Sequence, residues 1–361
     1  MQKLDQIAQL LIENKSQQAL EALRQWALSH QPERVMAIEL QLSRFNLNAQ
    51  NFTQGLKTMA EYQTELLQIN NAILFLINEC RQNTPTSRPQ TLSALHEYHA
   101  YTCDRVEHND TFKKVFGKGH RPTQFYFLYG GDLQSHEGLF RRIAYDLEGR
   151  LQDYLNPELK TNIQSLQLEM TFEYSGELEN YKTNILRSFF SMLGLVANEH
   201  EPLLAKDLAY ALARSPRLQQ LTEHDYVCGY LHISQYDWDA ELTPAAAKWF
   251  VTDFCGKALP DHLPTILFFF AIEYDEADED IRREVQSALH KAEKVTPLPE
   301  LGMVSLRDVG QWLERYKQLS PNARERKQLL KEVFGAQREH YMEDVELELK
   351  KIIDAYNNSI V

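Results

Sequence analysis

The sequence predicts an α + α/β chain, an all-α helical bundle followed by a three-layer α/β domain with a degenerate phosphate loop. Three observations predict it. Residues 1–80 carry apolar side chains at helical spacing, with Pro32 and Gly55 as their only proline and glycine. Residues 165–274 alternate short apolar runs with helical segments, the pattern of a mostly parallel sheet covered on both faces. Between them, Thr123-Gln-Phe-Tyr-Phe-Leu-Tyr-Gly-Gly-Asp-Leu-Gln-Ser-His-Glu137 runs from an aromatic strand through two glycines into an amphipathic helix. That is the frame in which backbone N–H groups and a helix N-terminus cradle an anion.

The first segment reads as four or five short helices. Leu4, Ile7, Leu10 and Leu11 form one stripe; Leu20, Leu23 and Ala27 form a second behind an expected N-cap at Ser16. Val35, Ile38, Leu42 and Phe45 make a third, and Leu56, Met59, Leu66, Ile69, Ile73 and Ile77 mark one long or two short helices. His30, one cysteine near the end and scattered carboxylates make no catalytic grouping, so the segment reads as an interaction module. Its partner-binding surface is expected within residues 1–80.

Pro85 and Pro89 make residues 81–90 a linker, because prolines this close forbid a continuous helix. A new helix is expected from Thr91 or Ser93. On it His96, His99 and Cys103 would share one face, the one cluster with metal-ligand character, but no fourth ligand is visible and Leu95, Tyr98 and Tyr101 point to ordinary packing. No metal site is expected.

The loop is where function is decided. A working phosphate loop reads G-x-x-x-x-G-K-[ST], the lysine reaching the β/γ-phosphates and the hydroxyl binding Mg²⁺. Counted from Gly130, the second glycine falls on Ser135, the lysine on His136 and the hydroxyl on Glu137. His136 is mostly neutral at pH 7, and Glu137 places negative charge where phosphate should lie. Gly130, Gly131, Asp132, Ser135, His136 and Glu137 thus mark a degenerate loop. Ser135 and His136 are neighbours that point different ways, so they form no nucleophile and base pair, and no catalytic residue is expected. Lys113, Lys114, Lys118, His120 and Arg121 precede the strand as a basic patch, most simply a solvated surface.

Beyond the loop a helix is expected over 135–154, a strand over 165–173, helices over 177–195 and 202–214, a strand over 225–234, a helix over 243–258 and a buried strand over 263–274. The strand through Tyr230 ends in Ser234 and Gln235, and Asp237 and Asp239 come late for Mg²⁺. The strand through Phe268 ends in Glu273 and Asp275, which open an acidic run best read as a helix start. A last helix is expected over 322–356, with a kink near Gly335.

Two stretches carry family resemblances. Ile7-Ala-Gln-Leu-Leu-Ile12, Ala19-Leu20 with Leu23, and Glu61-Tyr62 through Ala72-Ile-Leu-Phe-Leu-Ile77 resemble the helical, death-like effector-associated domains of bacterial conflict systems. Tyr101-Thr-Cys-Asp-Arg-Val-Glu-His-Asn-Asp-Thr-Phe112, with Phe125 and the Tyr129-Gly130-Gly131-Asp132 and Ser135-His136 string, resembles the inactive STAND family. The resemblances imply domains at 1–80 and 91–361, the second with a P-loop-like core that no longer hydrolyses nucleotide. They also imply an adaptor that recruits or regulates a protein effector carrying a similar helical domain. The alternative is a STAND-type switch that binds ATP or GTP by non-standard contacts, with residual turnover left open.

Composition bounds the rest. Residues 1–88 hold 8 basic and 8 acidic residues, so the formal charge of −13 sits in residues 89–361, with 30 basic against 43 acidic. That balance argues against nucleic acid as a partner. Cys80, Cys103, Cys228 and Cys255 show no paired spacing and read as reduced thiols. No apolar run of membrane-spanning length and no leader appear, so a cytoplasmic protein with no membrane partner and no cofactor is expected. Self-association stays open.

Overall fold

The computed structural model describes residues 2–12, 15–31, 34–82, 94–117, 122–155, 161–195, 202–257, 259–260 and 262–360. The chain divides into two compact units, Met1–Thr91 and Leu92–Val361.

The first unit contains α1 (Gln2–Ile12), α2 (Ser16–His30), α3 (Val35–Thr53) and α4 (Met59–Gln82) among its described residues. The predicted stripes meet in its core: Leu4, Ile7, Leu20, Leu23, Ala27, Ile38, Ile69, Ile73 and Ile77 are buried together, with Trp26. Leu56 and Met59 differ from expectation and stay exposed, because they lie at the turn into α4 rather than on its buried side. Ser16 is the first helical residue rather than the cap; Lys15 stands before it without a side-chain capping bond. The entry to α4 is instead a capping box. Thr58 N–H donates to the Glu61 carboxylate at 2.8 Å, and Glu61 N–H donates to the Thr58 hydroxyl at 3.3 Å. α4 runs on to Gln82, and the rest of the predicted linker lies outside the described residues, as does the expected helix start at Thr91 or Ser93.

The second unit opens with a short 3-10 turn, Glu97–Thr102, and α5 (Val106–Phe116). β1 (Thr123–Gly131), α6 (His136–Leu147), β2 (Ser165–Met170), α7 (Leu178–Met192), α8 (Leu208–Arg214), α9 (Pro216–Gln219), β3 (Tyr226–Ser234), α10 (Leu242–Trp249), β4 (Thr265–Tyr274), α11 (Glu279–Ala288) and β5 (Thr296–Pro297) follow. The strands form one sheet in the order β2-β3-β4-β1-β5, with every pairing parallel. Strand residues alternate between two cores. Tyr126, Leu128, Cys228, Phe269 and Ala271 pack on α5 and α6, whereas Phe125, Phe127, Leu231, Phe268, Phe270 and Ile272 pack on α7, α10 and α11. This is the three-layer arrangement the alternating pattern predicts.

The C-terminal part holds β6 (Val304–Ser305), α12 (Leu306–Arg315), α13 (Ala323–Phe334), β7 (Glu339–His340) and α14 (Met342–Ser359). The single long helix expected over 322–356 is two helices. Gly335 has φ 69° and ψ −140°, a backbone that ends a helix rather than kinking it, and β7 pairs back with β6 before α14 begins. Trp312, Tyr316, Met342, Val345, Leu349 and Ile353 bury against Leu95, Ala100 and Cys103, which fixes α14 to the segment ahead of α5.

Candidate functional site

β1 lies between β4 and β5, so its C-terminal end opens where neighbouring connections diverge, the place open α/β sheets offer a ligand. The loop there is short and packed. Asp132 N–H donates to Tyr274 O at 2.8 Å, and Gln134 N–H closes a turn on Gly131 O at 3.1 Å. A Cβ on Gly130 would overlap the backbone oxygen and Cβ of Leu301, and one on Gly131 would overlap the Glu276 side chain. The two glycines therefore admit this chain's own neighbours. Ser135 takes the left-handed conformation at φ 52°, a backbone glycine adopts at little cost.

Arg105 lies inside the Tyr101–Phe112 string, where the sequence alone marks no role for it. Its guanidinium is 2% exposed and reaches under the loop, donating to Gly302 O at 2.7 Å, to Gln134 O at 2.9 Å and to Gln134 Oε1 at 3.2 Å. Asp104 and Arg105 both have positive φ, so the turn that delivers this side chain holds conformational strain. The Gln134 amide donates in turn to the Glu276 carboxylate. From the far end of the chain Glu346, in α14, lies against Gly138 beside the Ser135 hydroxyl. Burial pushes its carboxyl up to about 7, while Ser135, Lys350 and Arg105 pull the other way.

His136 is fully enclosed, its ring set between the Ile272 backbone and the Glu273 carboxylate. Burial pushes its pKa down to about 4, with Glu273 opposing. It is neutral at pH 7, so its approach to Glu273, Nδ1 to Oε1 at 3.5 Å, is not an ion pair there. Glu273 is engaged elsewhere. Its Oε2 meets His232 Nε2 at 2.8 Å, and Tyr230 OH donates to Oε1 at 3.3 Å. The hydrogen bond that the His232 imidazole donates to Glu273 raises the His232 pKa. Burial would raise Glu273, but the His232 bond and the neighbouring imidazoles hold it low.

The other marked residues disperse. Asp132 is exposed. Glu137, expected over the phosphate position, turns to solvent and pairs with Arg141, and the buried carboxylate at this turn is Glu346 instead. Ser135 and His136 diverge, one toward Glu346 and the other toward Glu273. Asp237 accepts from Ser234 at 2.6 Å. Asp278 caps α11, so the acidic run is a helix start. Lys113 pairs with Asp146 at 2.6 Å, while Lys118, His120 and Arg121 lie outside the described residues.

The helix expected to carry His96, His99 and Cys103 is the 3-10 turn, and both imidazoles face the Asp153 carboxylate, His96 Nε2 at 3.9 Å from Oδ2. His99 Nε2 meets Asp153 Oδ1 at 2.7 Å and Nδ1 meets Tyr316 OH at 3.1 Å. Cys103 is buried beside Asp104, its thiol pushed far up by burial. Among the described residues no group of three His, Cys, Asp or Glu is placed to hold a metal, and no helix is long and apolar enough to cross a membrane. A cavity of about 330 Å³ remains beside the loop, lined by Gly131, Tyr274, Glu276, Arg282, Glu300 and Leu301.

A parallel sheet with a strand, glycine turn and helix at its ligand edge, preceded by the Arg105 turn, is the geometry that invites comparison. Residues 100–272 match the family model described as inactive STAND. The matched segment spans the Arg105 turn, the loop and the sheet up to Ile272. Glu276, Leu301 and Glu346, which fill the loop's surroundings, lie beyond it.

Among curated proteins none matches the sequence. Solved structures similar to this chain include the Aeropyrum pernix ORC1 protein in complex with DNA, at 10% identity, 75% of this chain, 68% of that chain and a TM-score of 0.31. The ORC2 protein of the same organism is similar in its ADP form (12%, 77% and 72%, TM-score 0.34) and in its ADPNP–ADP complexes (14%, 70% and 68%, TM-score 0.31). Likeness at this level assigns neither ligand nor partner to this chain.

It does correct one expectation. A protein solved with DNA stands among the similar structures, so excluding nucleic acid, and naming a protein with a similar helical domain in its place, is withdrawn; the class of partner is not established. The physical reason is that net charge averages over surfaces. Within a chain of −13, residues 317–338 hold six basic residues and two acidic ones, and Arg324, Lys327 and Lys331 lie exposed at helical spacing along α13.

Proposed function

We infer that this chain is a non-hydrolysing signalling adaptor of the inactive STAND kind, at work in a bacterial defence system. In this reading the helical unit recruits or regulates an effector, and the α/β unit serves as a scaffold. The death-like character of the helical unit and the defence setting rest on the resemblances of residues 7–77 and 101–136. One observation carries the absence of turnover. At the loop a neutral, enclosed His136 stands where a lysine would meet phosphate, and Arg105, Gln134, Glu276 and Glu346 fill the surroundings. Phosphoryl transfer works by positioning and charge stabilisation, and a neutral imidazole facing Glu273 supplies neither.

The cavity beside Gly131, with Arg282 in its wall, favours a second reading, a switch that binds ATP or GTP by non-standard contacts. Two measurements on the purified chain separate them. The adaptor reading expects no phosphate release from ATP or GTP with Mg²⁺ and no rise in Tm at millimolar nucleotide. A rise without release supports the switch, and release above the uncatalysed rate sinks the adaptor reading.

A further inference from the structure

The sheet has two outer strands, β5 and β2, and the sequence treats them differently. An outer strand presents unpaired N–H and C=O groups to any strand that reaches it, so stable folds shorten, cover or interrupt it. β5 is only Thr296–Pro297. Leu298 N–H turns inward to Phe127 O at 3.0 Å, so its neighbours turn outward. Both are prolines, Pro297 and Pro299, with no N–H to offer. β2 has six residues, Ser165–Met170, and no proline, glycine or lysine. Tyr226 N–H donates to Gln164 O at 2.8 Å, which turns the even-numbered residues of β2 toward β3 and leaves Ser165, Gln167 and Glu169 facing outward. Side chains close the two ends of that row: Ser165 N–H donates to Glu148 Oε1 at 2.8 Å, and Thr171 N–H to Ser188 Oγ at 3.0 Å. Between these ends, among the described residues, the main-chain groups of Gln167 and Glu169 and the Ser165 carbonyl have no partner.

We propose that β2 is where two copies of this chain meet, antiparallel across a twofold axis at Gln167, so that their sheets join into one. The closed ends set that register. With Gln167 on the axis it faces Gln167 of the other copy, and Glu169 faces Ser165. Each Gln167 N–H then donates to the opposite Gln167 carbonyl, and each Glu169 N–H to the opposite Ser165 carbonyl. The Ser165 N–H keeps its Glu148 acceptor. The side chains agree: the two Gln167 amides can pair as donor and acceptor. Glu169, already neutralised by Arg141 at 2.9 Å, meets a serine rather than a second carboxylate. A row with two free N–H groups is too short to offset the ordering of a loose peptide, whereas a second copy brings the same row already held rigid by its own sheet. The inference goes beyond the adaptor reading and does not depend on it.

The test is analytical ultracentrifugation of the full chain over about 1–100 µM, with amide hydrogen exchange read at both ends of that range. Wild type is expected to dimerise reversibly, with exchange at Gln167 and Glu169 slowing as concentration rises. Q167K sets two lysines face to face on the axis and is expected to weaken the dimer about tenfold or more. Q167P removes an outward N–H that β3 does not use, so it is expected to abolish the dimer and leave the monomer folded. Should Q167P not fold, Q167K decides alone. Dimerisation that survives Q167K, or that leaves those two amides unchanged, overturns the proposal. A chain that stays monomeric at the top of the range overturns it too: unprotected amides then leave the edge to a foreign strand, and protected ones put another segment of this chain on it.

Discussion

Gly130 meets the backbone of Leu301, and Gly131 meets the Glu276 side chain. Gly130→Ala is expected to cost about 1–3 kcal/mol by overpacking against backbone that cannot give way, read as a fall in Tm. Glu346 supplies a pH signature. Its carboxyl is held at about 7 against an ordinary 4.5, so the folded chain keeps a proton that the unfolded chain releases. Its contribution is fully present below pH 4.5 and is lost as pH rises through 7. E346Q is therefore expected to match wild type at low pH and to exceed it by about 3 kcal/mol above pH 7, measured by denaturant unfolding across that range. His136 acts oppositely. Lowered to about 4 from 6.5, it leaves stability intact above pH 6.5 and withdraws it as pH falls toward 4.

At the scale of elements, the break between α13 and α14 places Glu346. Gly335 sits at φ 69°, ψ −140°, a region close to glycine-only, so Gly335→Ala is expected to destabilise the chain by about 1–3 kcal/mol, checked by thermal denaturation. A continuous helix over 322–356 would carry residue 346 away from the loop. Periodicity predicted that helix because both halves are amphipathic, and a glycine within such a pattern marks a kink or an end equally well. The capping box at α4 is a second element-scale case. Thr58→Ala is expected to cost about 1 kcal/mol, visible as faster amide exchange in the first turn of α4.

For the whole molecule, each unit has its own hydrophobic core, and each core is the stripe or strand pattern written along the chain. Ile73 is fully buried in the first, and Ile73→Ala is expected to cost about 2–5 kcal/mol, read as loss of exchange protection in α1–α4. Charge behaves differently. The −13 is a sum over the chain, while a partner meets a patch, and exposed Arg324, Lys327 and Lys331 show how far one helix departs from that sum.

Local pattern was enough to settle much of this protein. The helical stripes, the four long parallel strands, the loop frame and its missing lysine and hydroxyl were all legible, because each depends on residues a few positions apart. The occupants of the loop were not. Arg105 reaches Gln134 across 29 residues and Glu276 reaches it across 142, and Glu346 arrives from a helix placed by Gly335 and the packing of Trp312, Leu349 and Ile353. Such contacts exist only after the sheet and the C-terminal helices have packed, so tertiary structure alone decided that the glycines face protein and that the buried carboxylate at α6 is Glu346 rather than Glu137.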